Sequence, residues 1–451
     1  MTRGEGTDEM DGTLATADLE LLRKDFAANP GYRLMQNAVT RVTVDDVAIN
    51  REIINSIDHS LSTHLDDWKV TNQERSGRCW LFAGLNLLRV GVMRKTGIKD
   101  FEFSQNYAMF WDKIERANYF LEAIIETADR DLDDRTVAFL LESVAGDGGQ
   151  WNMFAAVVAK HGLVPKGVMP ETQSSSNTAR MNSILRYQLR QGAKAIRAAA
   201  AESGEAARTA KADILQTVYR VLCIHLGTPP EQFDWQWTDK DKQFHRDGVL
   251  TPQEFAARYV ELPLDEYVCL VNDPRPSSPY GRTFTVEYLG NVVGGPRVTY
   301  LNVEMPLLKD IARTTLEGGE PVWFGCDVGK MMSNDYGLWD AGLYDLAAVY
   351  DAGFSLGKAD RLAYHETQMT HAMLFTGVDV LDGVARRWRV ENSWGAERGK
   401  DGFYTMNDSW FDQYVFEIAA RRSALPAELQ QALDTEPIVL PAWDPMGALA
   451  R

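Results

Sequence analysis

Apolar positions along this chain change period several times. From Cys79 the run Trp80-Leu81-Phe82-Ala83-Gly84-Leu85-Asn86-Leu87-Leu88 carries Leu81, Gly84, Leu85, Leu88 and Val92 at helical spacing. That spacing predicts a helix that opens at Cys79, runs to about Arg94 and stops at Gly97. Helical periodicity returns over 104–128, over Trp151 to His161 and over 179–226, where Ile214, Leu215, Val218 and Leu222 make an apolar face. Thr251-Pro252-Gln253-Glu254 reads as a helix start, with Thr as cap, Pro in the first turn and Glu three residues on. Alternating or short apolar runs predict strands at 267–270, 283–288, 322–328, 368–378, 387–395, 403–404 and 415–418. Towards the N-terminus, residues 1–15 are expected to fray. Helix and loop follow to about Ser60, and the alternation from Ala38 to Val44 predicts an edge strand. The segment 425–451 has little periodicity.

Two of these strands, 368–378 and 387–395, flank Asp382-Gly383, a two-residue turn signal. Folding about that turn makes paired positions sum to about 765. His371 then lies opposite about residue 394, within a residue or two of Asn392. The hairpin alone can therefore bring an imidazole and a carboxamide together. Asn392 would orient the ring, and Trp394 would cover the bond from water. Cys79 sits at a helix start, where unpaired backbone N–H groups favour a thiolate. Gln73, six residues earlier, can offer a side-chain N–H to an oxyanion beside the Cys79 N–H. Taken alone, Cys79 also reads as a buried structural cysteine. With His371 as base and Asn392 as orienter, it reads as a nucleophile: an exposed thiolate paired with a protonated imidazole.

Composition narrows the classes. The chain has 451 residues, 45% of them apolar, which suits a globular protein of two or three units. Its net charge of −17, from 47 basic and 64 acidic residues, disfavours nucleic acid and acidic membrane surfaces as partners. Residues 1–12 are polar and acidic rather than an apolar leader, and no run is long and apolar enough to span a bilayer. Four cysteines without close pairing suggest no disulfide framework, so a cytoplasmic protein with Cys79 reduced is expected. Cys326 lies in a buried-looking strand and reads as core. His365-Glu366 precedes His371 by six residues, not the His-Glu-x-x-His spacing of zinc peptidases. His59 and His64, five apart, read as solvated. There is no Cys-x-x-Cys pair, no phosphate-binding loop and no internal repeat, so no metal and no cofactor are expected.

Gln73 ahead of Cys79-Trp80, Thr370-His371-Ala372-Met373 and Glu391-Asn392-Ser393-Trp394-Gly395 together resemble the papain-like cysteine peptidases. Further stretches are similar to one branch, bleomycin hydrolase and bacterial aminopeptidase C. These are Ser76-Gly77-Arg78-Cys79-Trp80, Phe101-Glu102-Phe103-Ser104-Gln105-Asn106-Tyr107, Asp147-Gly148-Gly149-Gln150-Trp151 and Trp443-Asp444-Pro445-Met446-Gly447-Ala448-Leu449-Ala450. The resemblance implies an α+β, papain-like two-lobed fold with a large, mainly helical insertion and a C-terminal tail in the cleft. It divides the chain into an N-terminal extension (1–65), a helical lobe with Cys79 (66–165), an insertion acting as an oligomerisation hook (166–319), a β-rich lobe with His371 and Asn392 (320–424) and a C-terminal arm (425–451). Catalysis falls to Cys79, His371, Asn392 and Gln73. Substrate binding falls to Gly148, Gly149, Trp394 and Ala450, although the adjacent glycines taken alone are an ordinary turn. The implied activity is that of a cysteine aminopeptidase of broad specificity acting on peptides through a thioester, in a homohexamer. The tail, with its carboxylate on Ala450 once Arg451 is clipped, would restrict cleavage to free amino termini. The alternatives are an amide hydrolase or acyltransferase for non-peptide substrates, and a non-catalytic ring scaffold. The intact set of Gln73, Cys79, His371 and Asn392 argues against the scaffold.

Overall fold

The computed structural model describes residues 12–65 and 68–450, which fall into two compact units. The smaller unit holds the chain up to Ser56 together with Gly342–Ser355. It is built from the helices Thr16–Ala28, Pro30–Val39, Val44–Ala48, Arg51–Ser56 and Leu346–Tyr350. The edge strand expected over 38–44 does not form. Ala38 and Val39 close a helix that Asn29 caps and Pro30 opens, and the Thr43 side chain caps the next one by accepting the Asp46 N–H. Cap chemistry at both ends outweighs a seven-residue alternation that straddles a helix end. Within this unit Ile49 bridges Tyr344, and the Asn50 N–H donates to the Leu343 carbonyl at 2.8 Å.

The larger unit carries the predicted helices close to their expected bounds. They are α1 (Cys79–Thr96), α2 (Gln105–Glu126), α3 (Trp151–His161), α4 (Ala179–Ala200) and α5 (Gly204–Leu226). Helix α1 ends at Gly97 in the left-handed conformation, φ 69°, which a glycine adopts without strain. Trp80, Leu81, Phe82, Leu85, Leu87, Leu88 and Val92 are all buried, each side chain contributing about 2 kcal/mol by leaving water. Ser104 caps α2 by accepting the Tyr107 N–H at 2.9 Å. Thr251 and Glu254 form the expected reciprocal cap of the helix Pro252–Tyr259.

The longer strands of the main sheet are β1 (Tyr267–Val271), β2 (Thr283–Val286), β3 (Tyr300–Asn302), β4 (Val322–Cys326), β5 (His371–Leu381), β6 (Val384–Glu391), β7 (Phe403–Asn407), β8 (Val415–Arg421) and β9 (Ile438–Leu440). With the short pairs Met332–Ser333, Leu338–Trp339 and Thr63–His64 they make one 12-stranded sheet. Its order is β9-β2-β3-β1-β8-β4-β5-β6-β7, then Leu338–Trp339 and Met332–Ser333, with Thr63–His64 added against β5. The sheet therefore runs across the boundary expected at 319/320. Strands β1, β2 and β3 from the insertion pair among themselves, and β1 pairs with β8 of the β-rich lobe. The buried strand Tyr267-Val268-Cys269-Leu270-Val271 needs partners for the backbone groups on both edges, and β3 and β8 supply them. The N-terminal extension likewise divides at Ser56, because Thr63 and His64 join the sheet through Val378 and Gly377. The arm is more structured than its sequence suggests: Ala427–Ala432 is helical and β9 pairs in parallel with β2.

Candidate active site

The hairpin β5–β6 turns at Asp382 and Gly383, both with positive φ (51° and 80°), the geometry that matches strand twist in a two-residue turn. Pairing starts at Leu381↔Val384, slips by one residue between Asp379 and Val380, and slips back between Phe375 and Gly377. The two irregularities cancel. Leu374 therefore faces Glu391, as the turn register predicts, and the imidazole and carboxamide meet where expected. His371 Nε2 lies 2.9 Å from Asn392 Oδ1. The same oxygen accepts the Ser393 N–H at 2.7 Å, which fixes the carboxamide. Trp394 lies against the imidazole, ring centroids 4.9 Å apart and tilted by 37°, so an indole shields this bond.

Cys79 begins α1, and its cap residue Arg78 makes no side-chain cap bond. The backbone N–H groups of Ala372, next to His371, of Trp80 and of Cys79 itself lie near the Cys79 sulfur and favour its thiolate. With Nε2 committed to Asn392, Nδ1 is the ring nitrogen left for the thiol. The expectation of an exposed thiolate needs correction. Cys79 is fully buried, and that burial pushes its thiol up to about 12 despite the three backbone donors. Burial likewise lowers the His371 imidazole to about 4, against the opposing bond to Asn392. Desolvation outweighs the helix terminus here and disfavours the charged form of both groups.

Gln73 is tied to both sides of the site. Its Nε2 donates to the Ser76 carbonyl at 2.5 Å, its Oε1 accepts the Ser393 hydroxyl at 2.6 Å, and its backbone N–H donates to the Ser393 carbonyl at 2.8 Å. The Ser76 bond uses one of the two Nε2 hydrogens. Gly149 N–H donates to the Ala450 carbonyl at 3.0 Å, an antiparallel bridge between the glycine segment and the tail. A Cβ on Gly149 would stand 2.4 Å from the Trp80 ring, so only glycine brings this backbone so close. Gln150 Nε2 holds the Ala448 carbonyl at 2.6 Å. Upstream, Asp444 takes the Arg275 guanidinium at 2.8 and 3.1 Å, and Arg135 stacks 3.9 Å over Trp443. Gly148 lines a 430 Å³ cavity with the tail residues 442–445 and 447–449 and with Gln368, Met369 and Thr370. Arg451, on which the expected clipping depends, lies outside the described residues.

Sequence reasoning missed several supporting groups. Glu391, beside Asn392, accepts from Asn86 (2.9 Å), Arg89 (2.8 Å) and the Trp68 indole (2.5 Å), so it ties α1 to the end of β6. Burial raises its carboxyl, while Arg89 and Trp68 pull it down. Asn86 and Arg89 interrupting an apolar helix were the available signal. Cys326 is buried in β4, directly across from His371 in the register. The four cysteines are unpaired. Among the described residues no helix is long and apolar enough to cross a membrane, and no group of three or more His, Cys, Asp or Glu could hold a metal ion.

Comparison with known proteins adds the following. A model of the peptidase C1-like family matches residues 13–447. Aminopeptidase C of Listeria monocytogenes is 41% identical over 441 residues, covering 98% of this chain and all of its own. Bleomycin hydrolase of Homo sapiens is 42% identical over 437 residues, 94% of this chain and 96% of its own. The crystal structure of PepW from Lactobacillus rhamnosis superposes with a TM-score of 0.95 at 44% identity, covering 98% of this chain and 100% of that one.

Proposed function

Because the chain belongs to the peptidase C1-like family, with the papain-like α+β fold, we propose that it is a cysteine aminopeptidase that removes N-terminal residues from peptides. The observation that carries this reading is the His371–Asn392 bond of 2.9 Å on the strand whose next residue, Ala372, lies beside the Cys79 sulfur. His371 Nδ1 takes the thiol proton as the sulfur attacks the scissile carbonyl. The Cys79 N–H and the remaining Gln73 Nε2 hydrogen receive the oxyanion, each worth about 3 kcal/mol at the barrier. The imidazolium then gives its proton to the leaving amine, and water, with His371 again as base, releases the acid from the thioester. Asn392 keeps Nε2 occupied and Nδ1 aimed at sulfur.

The tail sets where the cut falls. Ala450 takes the Gly149 N–H that a longer peptide would need on the amino side of the scissile bond. With Arg451 removed, the Ala450 carboxylate pairs with the free amino group of the substrate, a contact a blocked peptide lacks. Gly148 lines the cleft beside the tail, and Trp394 guards the imidazole. The reaction needs Cys79 reduced, which suits the cytoplasm. The chain assembles as a homohexamer, with residues 166–319 as the hook. Leu21, Leu22 and Phe26, exposed on the helix Thr16–Ala28, are apolar surface that such an assembly would cover.

Cys79→Ala tests the reading. Hydrolysis of an aminoacyl-arylamide should fall by several orders of magnitude, on the order of 10⁶ where a nucleophile is removed from a comparable triad. Circular dichroism and Tm should stay those of the unsubstituted chain. Comparable turnover by the variant would rule the mechanism out.

A further inference from the structure

Two backbone segments converge on Cys79: the loop from Gln73 to Cys79, and Gly148-Gly149. One carboxylate, its side chain 8% exposed, joins them. Asp147 Oδ2 accepts the Gly77 backbone N–H at 3.2 Å and the Thr178 hydroxyl at 2.5 Å. Its Oδ1 accepts the Lys113 ammonium at 2.6 Å and the Asn182 amide at 2.7 Å. Its backbone carbonyl accepts the Trp80 indole N–H at 2.7 Å. Burial opposes ionisation, yet Lys113, Thr178 and Asn182 together hold this carboxyl well below the usual range. Thr178 and Asn182 are the cap and first turn of α4, in the insertion.

The same stretch of the insertion grips the loop from its other side. Arg75 N–H donates to the Ser176 carbonyl at 3.0 Å, and Thr178 N–H returns to the Arg75 carbonyl at 3.3 Å. Arg78, only 1% exposed, forks onto Glu171 at 3.0 and 2.9 Å. A bidentate guanidinium–carboxylate pair fixes direction as well as distance. Residues 75–78 are thus clamped between Asp147 and residues 171–182.

We propose that residues 171–182 and Asp147 form a brace that fixes the loop ahead of Cys79 and so sets the oxyanion donors, with Asp147 as a positioning residue. The proposal rests on Cys79 being the nucleophile, as above. The two donors flank the clamped residues: the Cys79 N–H follows Gly77 by two residues, and Gln73 Nε2 is anchored on the Ser76 carbonyl. A loop shift would move both donors and leave the Gly149 N–H in place, so kcat rather than KM should carry the effect. The brace also has an electrostatic signature. The Asp147 anion opposes ionisation of the Cys79 thiol, so its removal should make that thiol easier to ionise.

The test compares Asp147→Asn, Thr178→Val and Cys79→Ala in the full chain. For each variant, turnover of an aminoacyl-arylamide is divided by its own Cys79 labelling, the iodoacetamide-labelled thiols per chain in excess of those in Cys79→Ala. Per labelled site, Asp147→Asn should lose about 100-fold in kcat, the loss expected for a misplacement near 1 Å, with KM little changed. Thr178→Val should lose less, in the same sense. Alkylation of Cys79 in Asp147→Asn should begin at lower pH. A merely structural role would lower Tm and the number of labelled sites, but not kcat per site or the alkylation profile. If Asp147→Asn does not fold, Thr178→Val decides alone: unchanged kcat per site overturns the brace. Hydrolysis by Cys79→Ala would instead overturn the nucleophile assignment.

Discussion

At the scale of single residues, burial governs the chemistry. Lowered to about 4, the His371 imidazole stays neutral and able to accept the thiol proton at any pH above that value. As pH falls through about 4 it is protonated and that capacity is lost. On the alkaline side the substrate amino group, with an ordinary pKa of about 7.7–8.0, loses the charge that the tail carboxylate would pair with. The profile of kcat/KM against pH should therefore show an acid limb near 4 and an alkaline limb near 8 that vanishes for amino-blocked substrates of any residual reactivity. An acid limb near the ordinary histidine value of 6.5 would mean that His371 is solvated in the working enzyme. Cys79, His371 and Asn392 were legible because each carries a local signal: a helix start, a strand, and a position set by a two-residue turn. The depth of burial around them was not. It depends on side chains far off in sequence, such as Trp394 over the ring and Trp80 under Gly149.

At the scale of elements, local rules predicted local pieces well. Helix α1 stops where Gly97 permits, and the β5–β6 register follows from Asp382-Gly383 because its two irregularities cancel. The segment Ala38 to Val44 failed because a short alternation cannot compete with two caps. The arm escaped because its structure is borrowed: β9 exists only as the partner of β2, and Asp444 is placed by Arg275. That difference in anchoring leads to a prediction. The tip of the tail is held by two hydrogen bonds, Ala450 to Gly149 and Ala448 to Gln150, worth together about 2 kcal/mol. The base of the arm keeps the forked Arg275–Asp444 pair and Arg135 over Trp443. Deleting residues 447–451 should leave Tm almost unchanged, weaken the preference for free amino termini and admit cleavage inside amino-blocked peptides. A truncated chain that still refuses blocked peptides while cutting free ones at the original rate would show that the tail does not set specificity.

At the scale of the whole molecule, pairing across long sequence distances decides the layout, and these pairings were the least legible feature. Strand β1 meets β8 across about 150 residues, so a boundary drawn from the family resemblance at 319/320 cuts through a continuous sheet. The insertion likewise reaches the loop before Cys79 through Thr178 and Asn182, contacts that no spacing in the sequence announces. The result is a buried Cys79 and His371 within one unit, with the end of its own chain held against the Gly149 backbone. The central claim is that this arrangement hydrolyses peptides only from a free amino terminus. Its most direct test is the initial rate of the intact protein on an aminoacyl-arylamide and on the same compound with its amino group acetylated. The account predicts hydrolysis of the free amine, abolished by prior alkylation with iodoacetamide, and no detectable hydrolysis of the acetylated compound. Comparable rates on the two compounds would contradict it.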